Sequence, residues 1–337
     1  MGRALEILSI HSLEKTEFIA IRFWPSGCTS ISRERVVMAI DRSSQTLESD
    51  LVAAIPRKVR DGLREIVIFI DGCNESAGIL EFAGIMAQQH GAHLIGVFMQ
   101  PDISLSGPET FARGTGIVNL IKEHQSQLER IEANYRARFE DTVRRYGIRF
   151  EWRSSHHFAS HVDVHAQYAD LAIIARPEIT DRAAGPRGLM ESLVLRSGRP
   201  TILLPPHVTV SQIRRVLIGW NASPGAIRAT ADALPLLVRA EAVQVLVVDD
   251  KHDPENALEP ASAIERHLAR HGAPVEAKKM SSNGEDVGRL LLSQAETFGA
   301  DLIVMGAYGH SHLSEWIFGG VTLTALREAT VPVLMSH

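Results

Sequence analysis

Four glycines near the end of the chain are spaced in a way that can hold an anion. Gly306 and Gly309 follow a short apolar run at 302–305, and Gly319 and Gly320 come after a further nine residues. Such a run is typical of a buried parallel strand. Val321, Thr322 and a helical pattern as far as Ala329 follow. A glycine pair at a strand's end and another at a helix's start bring backbone N–H groups together, and such groups can hold a phosphate. The plainer reading is that the glycines only make turns. The whole G-x2-G-x9-G-G spacing between strand and helix favours a phosphate loop.

Other reactive residues do not assemble into a site. His156, His157, His161 and His165 cluster, and the last two would share a helical face that zinc could use. Only Asp163 is near enough to add a ligand, so capping or solvent-facing histidines are expected and no metal is assigned. His310 and His312 flank the glycine loop and are expected to face water. There is no G-x-S-x-G elbow, no G-x-x-x-x-G-K-[ST] loop and no carboxylate pair placed for acid–base work. No catalytic residue is assigned.

The 337 residues suggest two domains. A 45% hydrophobic share with 22% charged residues supplies ordinary globular cores. A formal net charge of −5 gives no reason to expect nucleic acid or an anionic membrane as partner. Cys28 and Cys73 form neither a disulfide framework nor a metal motif, so a reducing, cytoplasmic location is expected. No run approaches the ~20 apolar residues of a membrane span, and no signal peptide is read at the start.

The elements that must position the loop come in two sets. Residues 1–62 read as an extension, poorly ordered or with a doubtful start, holding a short strand at 18–24. Residues 63–208 alternate strands (66–70, 93–99, 148–153, 171–175, 201–204) with helices (77–89, 117–146, 162–168, 189–196). Residues 209–337 do so again, with strands at 216–220, 243–248, 275–280, 302–305 and 331–335 and helices at 226–238, 260–271, 287–298 and 322–329. Ala169-Asp170-Leu171 recurs as Ala300-Asp301-Leu302, and Pro200-Thr201 as Pro332-Val333. The chain is therefore an internal repeat. Each half predicts a parallel sheet with right-handed crossovers and a ligand site beyond the strands' carboxyl ends. In the first half Arg176-Pro177-Glu178 replaces the glycine loop, so that half reads as degenerate and structural.

The glycine spacing and the doubled order resemble the universal stress protein family, whose nucleotide loop reads G-x2-G-x9-G followed by Ser or Thr. The resemblance covers residues 64–337 as a tandem, two-domain member. It implies an α/β fold of two tandem five-stranded parallel sheets, Rossmann-like and of the adenine nucleotide alpha hydrolase type. They would pack as a pseudo-dimer through their last strands, so that 201–204 meets 331–335. It implies ATP, with Mg²⁺, as cofactor. Asn221 stands where the family usually has an Asp near the ribose or adenine, and Val247 would meet adenine through its backbone. Gly306, Gly309, Gly319, Gly320, Val321 and Thr322 would line the phosphates. Gly320 departs from the family by lacking the small hydroxyl, a loss of about 0.5–1.5 kcal/mol. Asp71 keeps the acid in the first half, where the loop is missing. Trp220 is expected to pack in the core rather than stack on a base.

The resemblance implies a non-catalytic, cytoplasmic stress-response protein that holds an adenine nucleotide in its second half and pairs its two halves within the chain. Pairing of chains into a homodimer is compatible with this. Two alternatives stay open: a scaffold with an empty loop, and a slow ATPase of the same fold. The absence of a loop lysine and acid weighs against the ATPase.

Overall fold

The computed structural model describes residues 5–13, 16–23, 36–41, 62–71, 77–100, 115–155, 162–176, 190, 192–207, 212–249, 258–307 and 320–337. Gly309, Gly319, His156, His157, His161, His310 and His312 lie outside them. The chain divides into two compact units, Met1–Asp61 and Gly62–His337.

The first unit holds β1 (Leu5–Leu13), β2 (Thr16–Phe23) and β3 (Val36–Asp41). They form an antiparallel sheet in that order, with Leu5 opposite Phe23 and Ile21 opposite Val36. The sequence suggests a short strand at 18–24, with 33–40 either continuing it or beginning another element; the structure has separate strands there, Thr16–Phe23 and Val36–Asp41.

The second unit is built on one ten-stranded sheet. Its first half contributes β4 (Glu65–Ile70), α1 (Ala77–His90), β5 (His93–Met99), α2 (Thr115–Tyr146), β6 (Phe150–Ser155), α3 (Val162–Ala166), β7 (Leu171–Ala175) and β8 (Thr201–Leu204). The second half contributes β9 (Arg215–Trp220), α4 (Pro224–Asp232), α5 (Leu234–Leu237), β10 (Ala242–Asp249), α6 (Leu258–Arg270), β11 (Val275–Ser281), α7 (Val287–Phe298), β12 (Leu302–Gly306), α8 (Gly320–Glu328) and β13 (Val333–Ser336). The order across the sheet is β11-β10-β9-β12-β13-β8-β7-β4-β5-β6. All neighbours are parallel except β13 and β8, which meet antiparallel with Val333 opposite Leu203 and Met335 opposite Thr201. The expected meeting of the two last strands is therefore present.

The inner strands read as unbroken apolar runs because helices cover both faces. In β4, Ile66, Ile68 and Ile70 enter one core while Val67 and Phe69 enter the other. Each core layer draws residues from both halves. The repeat extends to a hydrogen-bond device. Asp170 accepts from the Arg64 and Glu65 amides at 2.6 and 3.0 Å. Asp301 accepts from the Arg214 and Arg215 amides, both at 2.9 Å. Each aspartate pins the strand that opens its half.

Two helices differ from the sequence reading. The helix expected over 226–238 is divided into α4 and α5 at Ala233. Pro235 has no N–H to give to the carbonyl of Ala231, so the ladder cannot run through. The long helix α2 is continuous, but only its second half is anchored: Tyr135, Phe139 and Val143 are buried while Val118 and Ile121 are exposed.

Candidate functional site

Strands β9 and β12 are neighbours, yet the chain leaves them towards opposite sides, β9 towards β10 and β12 towards β13. Such a switch point opens a crevice at the strands' carboxyl ends. Here it is a hollow of about 180 Å³. Gly219, Trp220 and Asn221 come to it from β9, Leu246 and Val248 from β10, and Met305 and Gly306 from β12. Val287 and Leu291 of α7 and the first residues of α8, Gly320, Val321 and Thr322, close it. The structure thus brings together Asn221, Gly306, Gly320, Val321 and Thr322 of the residues singled out from the sequence. Val247 is not among the lining residues. Its side chain is buried in the opposite core beside Val243 and Val245.

The start of α4 and the first described residues of α8 flank the crevice. The start of α4 is internally satisfied. Ser223 caps it by accepting from the Ala226 amide at 3.2 Å, and the Ser223 amide donates to Asn221 Oδ1 at 3.1 Å. Pro224 follows at the first helical position, where a missing N–H costs nothing. Asn221 therefore closes the turn between β9 and α4, with Ala222 at φ +55° inside it. Gly320, Val321 and Thr322, the first described residues of α8, line the hollow from the other side.

The glycines serve two purposes. A Cβ on Gly306 would lie 2.5 Å from the Ala226 nitrogen and from the Gly225 carbonyl carbon. Gly306 is thus small because the first turn of α4 presses on β12. Gly225 is the other side of that contact, its own Cβ position being 3.0 Å from the Ala307 oxygen. The sequence reading missed Gly225, although Ser223-Pro224 just before it is a helix-start signature. At Gly320 the opposite holds: a Cβ there would meet nothing within 4 Å. The hydroxyl-bearing residue absent at this position would fit without strain.

Trp220 packs against the core formed with Val216 and Ile218, on the sheet face covered by α4 and α6. Among the described residues, none of the hollow's lining side chains is Asp, Glu, Lys, Arg or His. No group of three metal-binding side chains occurs among the described residues. No described helix is long and apolar enough to cross a membrane.

Residues 212–337 match the profile of the universal stress protein family. The universal stress protein Slr1230 of Synechocystis sp. is 25% identical over 175 residues, which cover 51% of this chain and 59% of that relative. The match thus spans less than two thirds of the relative's length. Among solved structures, a universal stress protein from Archaeoglobus fulgidus superposes with a TM-score of 0.61 at 17% identity, covering 80% of this chain and 94% of its own. A protein of unknown function from Pseudomonas aeruginosa PAO1 superposes with a TM-score of 0.54 at 14% identity, covering 82% and 93%. At these identities the two structures speak to the fold, and they cover both halves of it.

Proposed function

We propose that this chain, which belongs to the universal stress protein family through its residues 212–337, is a non-catalytic stress-response protein that holds an adenine nucleotide in the crevice between β9 and β12. The observation that carries the reading is that the first described residues of α8, Gly320, Val321 and Thr322, line the hollow. A Cβ on Gly320 would meet nothing within 4 Å. A phosphate there would be held by N–H dipoles, as at other helix N-termini. The apolar wall of Leu246, Val248 and Leu291 suits the flat face of a base. Asn221 keeps an amide near the mouth, but its Oδ1 is engaged by Ser223. A cytoplasmic location and pairing into homodimers belong to the same proposal.

The uncharged lining supports a binding role over catalysis. Phosphoryl transfer draws on a cation to neutralise developing charge and a group to orient the nucleophile, and the described lining offers neither side chain. With ATP, Mg²⁺ would come as the counter-ion of the phosphates. The scaffold reading has one observation in its favour: Gly306 is explained by helix packing alone.

Isothermal titration of the full chain with ATP and AMP tests the proposal. Saturable heat is expected. Gly320→Ser, by restoring one hydrogen bond, should tighten ATP about 2- to 12-fold, from ~0.5–1.5 kcal/mol. Gly320→Leu should abolish binding without lowering the melting temperature, because its side chain enters open space. No heat from either nucleotide with the parent chain would leave only the scaffold.

A further inference from the structure

Strand β6 ends the large sheet, and among the described residues it pairs with β5 alone. The carbonyls of Arg149 and Ser155 accept from the Leu94 and Gln100 amides, so both residues turn their backbone inward. By the alternation of a strand, Glu151 and Arg153 do the same, while Phe150, Trp152 and Ser154 turn their N–H and C=O groups to the open edge. Such a row of backbone groups is a template for pairing with another chain.

The side chains show that this edge is reachable and that one of its faces is apolar. Phe150 is 40% exposed. Its ring lies 5.8 Å from that of Phe139, which also meets Trp152 at 5.3 Å. The aromatic core therefore runs out to the edge. On the other face Arg153 donates to both oxygens of Glu151 at 2.9 and 3.0 Å, and both side chains reach solvent. The opposite edge of the sheet differs. There β11 carries Lys278 and Lys279 in succession, and edge lysines keep strands apart. β6 has no lysine, and its acid and its base balance.

We propose that β6 pairs antiparallel with β6 of a second copy of this chain, about a twofold axis at Trp152. Backbone and charge together fix that register. Trp152 faces Trp152 and Phe150 faces Ser154, so outward residues meet outward residues and each pair exchanges both of its hydrogen bonds. Glu151 faces Arg153 in the pairs without hydrogen bonds, where side chains come closest. An axis at Glu151 or at Arg153 would also match the backbone groups, but it would set like charges opposite each other. This edge gives a surface to the pairing of chains proposed above, and it does not depend on a nucleotide in the crevice.

Sedimentation velocity on the full chain over a range of concentrations tests this, and a reversible monomer–dimer equilibrium is expected. Ser154→Pro removes an outward N–H, a change that an edge strand tolerates, and should leave the chain monomeric. Ser154 Oγ also donates to Glu132. Ser154→Ala loses that bond but keeps the backbone N–H, and should dimerise like the parent. Glu151→Arg and Arg153→Glu set like charges face to face, and each should weaken self-association at least about tenfold. Mixed together, those two variants should form a one-to-one heterodimer, because every facing pair is then opposite in charge again. Rescue by mixing separates a lost interface from a lost fold. The proposal is overturned if the parent stays monomeric at millimolar concentration, or if Ser154→Pro or the single charge variants dimerise like the parent. It is also overturned if Ser154→Ala is as monomeric as Ser154→Pro, or if the mixture stays monomeric. A dimer that persists in Ser154→Pro would refute this edge and leave pairing of chains through another surface, and nucleotide titrations would read the same either way.

Discussion

Arg176 donates from its guanidinium to the Ala329 carbonyl at 2.9 Å and to the Ala325 carbonyl at 3.3 Å. A side chain at the end of β7 thus caps the end of α8, a helix of the other half. The position matters because Arg176 stands in the first half where Ala307 stands in the second, directly after the position of Gly306. Burial pulls its pKa below the ordinary arginine value, yet a cation at a helix C-terminus is favourably placed. The residue that ends the glycine loop's symmetry is therefore used to clamp the two halves.

Arg176→Ala should cost about 2–4 kcal/mol, from charged hydrogen bonds lost and a cavity left. Arg176→Lys should recover only part, because a lysine lacks the planar fork that reaches two carbonyls. Urea unfolding midpoints of the three proteins would measure this. Equal midpoints would deny the clamp.

Gly306→Ala and Gly320→Ala should behave oppositely although both lie by the same hollow. The first forces α4 away from β12, since 2.5 Å cannot be accommodated against backbone, and overpacking of this kind costs about 1–3 kcal/mol. The second enters open space and replaces a poor helix former, so stability should rise by up to ~1 kcal/mol. Thermal melts decide it. Ligand titrations on Gly306 variants would confuse misfolding with lost binding, which is why Gly320 is the better test position.

Asp170→Ala and Asp301→Ala should cost similar amounts, about 1.5–3 kcal/mol each, because each removes an ionised acceptor of two strand-start amides. The sites lie in separate halves, so the double variant should show nearly the sum. Denaturant titrations of the singles and the double give the comparison.

His90 predicts a pH dependence. Its Nδ1 accepts from the Leu63 amide at 3.4 Å. Burial, with a smaller push from Arg239, lowers its pKa from 6.5 to about 4. Between those values the unfolded chain binds a proton that the folded chain refuses, so stability falls as the pH drops from about 6.5 towards 4. The loss from this group is on the order of 1–3 kcal/mol. His90→Gln cannot titrate and should flatten that part of a stability-against-pH curve. An unchanged slope would rule His90 out as its source.

The parts of this fold that are local in sequence were legible. Asp170 and Asp301 recur with their strands, and the apolar runs of β4, β7, β9 and β12 mark strands buried on both faces. The edge meeting of β8 and β13 followed from the repeat through the family resemblance. Pairwise facts were not legible. Gly225 matters only because Gly306 lies against it, and nothing in either residue's own neighbourhood announces the other. Asn221 looked like a ligand contact, yet its oxygen closes a turn two residues on. Pro235 marks the break at Ala233 locally, while the apolar spacing continues beyond it.

The antiparallel join of β8 to β13 has a consequence for how the two copies can diverge. When a pair is made from two identical chains, every substitution appears on both sides. Here the copies are tethered and translated as one, so each position is inherited independently of its counterpart. An arginine can follow the strand on one side where the other side has an alanine and keeps its opening. The molecule is thereby lopsided by inheritance, and whatever settles at the end of β12 has no twin seat guaranteed at the end of β7.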